Sequence, residues 1–148
     1  MSAAVSQQVY QVVYHSIATH PMPSSADNAS LLEQARAYNN AHGITGLLLY
    51  AETTGEYLQV LEGEPETVKA LYERIKADPR HHSVGTVAEG VMTDRALPSW
   101  RMGFAPLEAD ELEQLAGYIN PRAMYLPDAS TALLDLLADF ARTRDVGY

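Results

Sequence analysis

Between Val9 and Ile17 the run VYQVVYHSI is rich in β-branched and aromatic residues and separates into two faces, Tyr10, Val12, Tyr14 and Ser16 on one and Val9, Gln11, Val13 and His15 on the other. That alternation predicts a strand. The following THPMPSSADN is a loop by composition. Ser30 with Glu33 reads as a capping box opening a helix that runs to about His42, where Gly43 stops it. Along that helix Leu31, Ala35, Tyr38 and Asn39 recur at helical spacing, so an asparagine shares the inward stripe with a leucine. ITGLLLYA, from Ile44 to Ala51, is almost continuously apolar, as a strand buried on both faces requires, and ETTG turns it into the strand GEYLQVLEG. There Tyr57, Gln59 and Leu61 share a face. A buried amide without partners costs roughly 1–3 kcal/mol, so both ends of the Gln59 side chain need to be satisfied.

Glu64, Pro65 and Glu66 have the character of a first helical turn, and Val68, Leu71, Tyr72 and Ile75 form the stripe of a second helix ending near Asp78 and Pro79. Strands are predicted around Ser83 to Glu89 and, after the turn ALPS, around Trp100 to Ala105. Two amphipathic segments follow, near Glu108–Ile119 and Ser130–Arg144. The fold class is α+β: a ferredoxin-like βαββαββ sandwich with two C-terminal helices. In that topology the first and third strands are adjacent and central. Tyr14 and Gln59 become neighbours beneath both helices if their registers agree, with Asn39 facing them.

Composition narrows the functions open to such a fold. The 148 residues suit one compact domain with a helical appendage, divided here as residues 1–106 and 107–148. A formal charge of −9 opposes nucleic acid and anionic lipid as partners. The absence of cysteine removes disulfides, thiolate metal sites and thiol nucleophiles, and the five histidines lack metal-ligand spacing. With no apolar run long enough to span a membrane and no greasy leader, a soluble cytoplasmic protein is expected.

A phenol, a strand amide and a helix amide converging between helices and sheet suit a flat heteroaromatic ligand. The segments carrying them, YHS around Tyr14, NNAHGITGLLLY from Asn39, GEYLQVLEG, ADPRHHSV from Ala77 and DRALPSWRMGF from Asp94, resemble the BLUF domain family of flavin-binding blue-light sensors over roughly Val9 to Phe104. The resemblance implies that Tyr14 is the photoactive tyrosine, Gln59 the switching glutamine and Asn39 a flavin-edge ligand. Leu31 and Ile75 would sandwich the ring, and Arg80 and His81 would lie near it. Trp100 and Met102 would relay the signal, and Arg95 matches a basic position just ahead of them. The implied cofactor is flavin, FAD before FMN or riboflavin, held without a covalent bond. The protein would be no enzyme, working through an unidentified signalling partner and as a homo-oligomer. Tyr38 departs from the family pattern, which places Asn or His there, and the AETTGE hairpin is longer than the common form.

Taken singly these residues have plainer readings. Tyr14 would be a core tyrosine, Gln59 an edge amide, Asn39 a helix-end residue, Leu31 and Ile75 ordinary core, and Arg80, His81 and Arg95 surface charges. Trp100 and Met102 would be core packing. Their joint order is what sets these readings aside. Two rival functions fit the same fold: a flavin-free interaction module, or a small enzyme using Tyr14 or His81 as acid or base, for which no nucleophile, carboxylate pair or phosphate loop is visible.

Overall fold

The computed structural model describes residues 8–19, 28–95, 97 and 101–107. Its elements are β1 (Val9–Ala18), α1 (Asn28–His42), β2 (Thr45–Ala51), β3 (Glu56–Gly63), α2 (Pro65–Lys76), β4 (His81–Met92) and β5 (Gly103–Leu107). They build a five-stranded sheet in the order β4-β1-β3-β2-β5, antiparallel except for the parallel β2–β5 pair. The first four strands have the ferredoxin-like arrangement, with β1 and β3 side by side at the centre.

Register decides which side chains meet. Tyr14 lies opposite Gln59 on β3 and opposite Thr86 on β4, while Gln59 also faces Leu48 of β2. On this face the core gathers Tyr10, Val12, Tyr14, Leu48, Tyr50, Tyr57 and Leu61 from the sheet with Leu32 of α1 and Val68 and Tyr72 of α2. Both helices therefore cover one face. The other face is also closed, since Val13, Leu47, Leu49 and Val60 are buried, which explains why β2 reads as an uninterrupted apolar run.

Local chemistry accounts for most boundaries. Gly43 ends α1 at φ 68°, a left-handed conformation that glycine adopts without a Cβ clash. Pro65 opens α2, where its missing N–H is no loss, behind an extended Glu64. Three boundaries differ from expectation. α1 begins at Asn28, so Ser30 lies inside the first turn rather than capping it. Asn28 is buried and accepts the Tyr57 hydroxyl at 3.0 Å, so tertiary contact extends the helix past the local capping pattern. β4 runs from His81 to Met92, beyond the expected stretch, because as an exposed edge strand it carries little apolar alternation to mark its ends. β5 begins at Gly103 and takes in Pro106, which an edge strand tolerates. The two C-terminal segments lie outside the described residues, as does Trp100.

Candidate functional site

Tyr14 and Gln59 share one rung of the sheet, and their side chains rise from it toward α1 and α2. The buried Tyr14 hydroxyl donates to the Gln59 carbonyl oxygen Oε1, and Gln59 Nε2 donates to the Met102 sulfur at 3.4 Å. Both ends of the inward amide are thus occupied, the carbonyl by a phenol and the NH2 group by a weak thioether acceptor. Burial pushes the Tyr14 phenol well above the ordinary tyrosine range, with the Tyr72 ring nearby acting in the same direction. The two rings lie 5.3 Å apart, and the Tyr72 hydroxyl reaches Thr86 at 2.6 Å. Tyr57 is pushed up to about 12, mainly by burial, against the lowering effect of its bond to Asn28.

Above this rung lies a cavity of about 330 Å³ between the helices and the sheet, within the range of small-molecule and cofactor sites. Tyr14, Gln59 and Met102 contribute to its lining, Leu31 and Asn39 enter from α1, Ile75 from α2, and Arg80 and His81 from the segment after α2. All seven residues expected to bind the cofactor therefore line one cavity. Leu31 and Ile75 are only partly buried, as wall residues are, whereas Leu32 is the α1 leucine fully packed in the core. Asn39 is buried and its Nδ2 donates to the Arg101 carbonyl at 2.5 Å. Each His81 ring nitrogen is engaged, Nδ1 with Ser16 Oγ at 2.8 Å and Nε2 with the Ile75 carbonyl at 2.6 Å. His81 thus ties the end of α2 to β1 while its ring meets Tyr14 edge-on. Arg80 pairs with Asp78, whose carboxyl is held below the usual range chiefly by that hydrogen bond.

Several contributors were missed. Arg74, Asp78 and Tyr38 also line the cavity. Tyr38 stacks on His42 with 3.9 Å between ring centroids, and the Arg74 guanidinium lies over the Tyr38 ring at 5.2 Å. Asp78 lies in the segment already singled out for Arg80 and His81, so its position was a usable signal; Arg74, in the polar spacing of α2, carried none. Arg95 is not among the lining residues. It donates to the Gly43 carbonyl at 2.7 Å and to Thr45 Oγ1 at 2.9 Å, fastening the α1–β2 turn.

The architecture agrees with comparison to known proteins. The family model described as "Sensors of blue-light using FAD" matches residues 9–103. Photoactivated adenylate cyclase subunit beta of Euglena gracilis is 35% identical over 137 residues, 86% of this chain but 16% of that protein. The dark-state structure of BlrB, a BLUF protein, has a TM-score of 0.69 at 26% identity, covering 90% of this chain and 98% of that one. Klebsiella pneumoniae BlrP1 with FMN and cyclic diGMP has a TM-score of 0.61 at 30% identity, over 72% of this chain and 29% of that one. The chain spans about a sixth of the length of the curated cyclase subunit it matches. It belongs to the BLUF family, the sensors of blue light using FAD.

Proposed function

We propose that the cavity holds the isoalloxazine ring of an oxidised flavin, that Tyr14 and Gln59 are the photoactive pair, and that Met102 carries the change outward. The observation that carries this is the Tyr14–Gln59–Met102 chain of hydrogen bonds lining the cavity. The residues present fit such a ring: aliphatic walls from Leu31 and Ile75, amides at Gln59 and Asn39, and cationic groups at Arg74 and Arg80. FAD is the flavin named for the family, and FMN or riboflavin is the alternative.

When bound, photoexcited oxidised flavin supplies a one-electron oxidant. Tyr14 is placed to release an electron, and its hydrogen bond directs the phenolic proton to the Gln59 carbonyl. The raised pKa keeps the phenol protonated before light arrives. Rotation of the Gln59 amide would exchange its carbonyl and NH2 ends. The NH2 group would then face Tyr14 and the carbonyl would face the Met102 sulfur. A thioether offers no proton, so the Gln59–Met102 hydrogen bond would be lost, and a local rearrangement would bias the chain leading into β5.

Beyond the sensor itself, the reading extends to residues 1–106 as sensor and 107–148 as an output segment covering the far sheet face. It includes Trp100 as a second relay residue, contacts with a signalling protein, homo-oligomerisation and a cytoplasmic location. The burial of that far face supports the packing part of it. No helix among the described residues is long and apolar enough to cross a membrane. The proposal assigns no catalysis to this chain.

Absorption spectra in darkness, under blue light and during recovery test the central claim. A yellow protein with a reversible red shift, lost in Tyr14→Phe and in Gln59→Glu, is expected. A protein that stays colourless with added flavin would overturn it and favour the flavin-free module.

A further inference from the structure

Met102 is the weakest partner in the Tyr14–Gln59–Met102 chain. A thioether sulfur is a poor acceptor, and a methionine side chain turns about several bonds. The Gln59 amide alone therefore does not fix where that sulfur sits. Two other contacts do. At the backbone, Arg36 Nε of α1 donates to the Met102 carbonyl at 3.0 Å, and a charged donor makes one of the stronger hydrogen bonds. At the tip, the Met102 methyl group packs against bare glycine backbone, since a Cβ at Gly46 would lie 3.0 Å from Met102 Cε. The carbonyl, sulfur and methyl of this buried residue thus meet α1, β3 and β2 in turn.

Arg36 acts beside Asn39. The two stand three residues apart on α1, a spacing that puts side chains on one helix face, and they donate to consecutive carbonyls, those of Met102 and Arg101. Their situations differ. Asn39 lines the cavity, so a bound ring can compete for its amide, whereas Arg36 is not among the lining residues. A ring in the cavity therefore does not contest the bond that places the Met102 backbone.

We propose that Arg36 is a positioning residue for the light switch. It fixes the Met102 backbone so that the sulfur meets the Gln59 amide in the dark arrangement, and it does so independently of any contact between cofactor and Asn39. The inference rests on the reading of Gln59 as the switching amide and Met102 as its relay. Loss of Arg36 weakens the Gln59–Met102 bond, which belongs to the dark arrangement alone, so the lit state outlasts that of the wild type.

Dark recovery of the red shift after a blue pulse tests this in the full flavin-bound chain, in the wild type, Arg36→Leu, Met102→Leu and the double variant. Arg36→Leu should slow recovery about threefold. Arg36→Lys, which keeps a charged donor on a long stem, should recover near the wild-type rate. In the Met102→Leu background, Arg36→Leu should change nothing further, because the sulfur it positions is gone. A merely structural role would alter both backgrounds alike, and that result, or an unslowed recovery in Arg36→Leu, would overturn the proposal. Nuclear magnetic resonance of isotope-labelled methionine methyl groups supplies a second arm, on the protein as purified and kept in darkness. The Met102 signal, identified by its loss in Met102→Leu, should shift in Arg36→Leu and return in Arg36→Lys; an unmoved signal overturns the positioning role. A wild type without any red shift would overturn the photoreceptor reading instead, and the methyl signal would still judge Arg36.

Discussion

The Tyr14–Gln59 hydrogen bond can be weighed by a double-mutant cycle. Both side chains are almost inaccessible, at 4% and 7% relative exposure, so removing either partner strands the other away from water. Tyr14→Phe leaves the Gln59 carbonyl without its phenol, and Gln59→Leu leaves the Tyr14 hydroxyl without its acceptor. Each single change should cost about 1–3 kcal/mol, the desolvation penalty of an orphaned group, whereas the double variant presents two apolar surfaces and should cost less than the sum. The coupling energy is then about 1–2 kcal/mol. The contact of Gln59 with Met102 is absent from both Leu-containing arms, so it cancels. Urea unfolding of flavin-free protein is the suitable assay, since bound ligand would add mass-action stabilisation that differs between variants. With m-values of about 1–3 kcal/mol/M, a 2 kcal/mol loss moves the midpoint by roughly 1 M. Additive single effects, with coupling below about 0.5 kcal/mol, would refute the reasoning, because two buried partners of one bond cannot act independently.

Other perturbations read other parts of the molecule. A Cβ at Gly46 would lie 2.2 Å from the Val60 carbonyl oxygen and 3.0 Å from Met102 Cε, so Gly46→Ala should cost at least about 1–3 kcal/mol in thermal or urea unfolding. Tyr14 has its folded pKa raised above the ordinary value of 10.0, so its contribution is intact below about pH 10 and is lost as pH rises toward the folded value. Tyr14→Phe should therefore flatten the alkaline limb of the stability curve in a pH series of unfolding midpoints. Arg95→Ala removes donors to Gly43, Thr45 and Glu62; faster hydrogen exchange around the α1–β2 turn is expected, with the dark absorption spectrum unchanged.

Alternation and helical spacing were sufficient for the element order, and with it for the neighbouring of Tyr14 and Gln59, because a ferredoxin-like sheet leaves few registers that bury both apolar sets. The shared cavity of Leu31, Asn39, Ile75, Arg80 and His81 was legible only through joint motif order, since singly each is ordinary core or surface. Arg74 stayed hidden because its place depends on how α2 lies against α1, where the Tyr38 ring receives it. Local pattern also misplaced the start of α1, which a long-range bond between Asn28 and Tyr57 settles. The orphaned amide of Gln11 shows most clearly what a sequence omits. Its outward phase on β1 was legible, but that a buried amide there meets no hydrogen-bond partner among the described residues emerges only from three-dimensional packing.

Asn39 belongs to two places at once. Its side chain lines the cavity, and its amide nitrogen holds the Arg101 carbonyl just ahead of β5. Whatever fills the cavity and engages that amide must share it with the backbone outside. Linkage makes such sharing reciprocal: occupancy that steadies Asn39 would order the entry to β5, and a partner protein that fixes that entry would alter retention of the cofactor by the same factor. In a sensor built this way, cofactor loading and the engagement of any partner at that entry would form a single thermodynamic cycle, and the dissociation of flavin would become a gauge of what is docked beside β5.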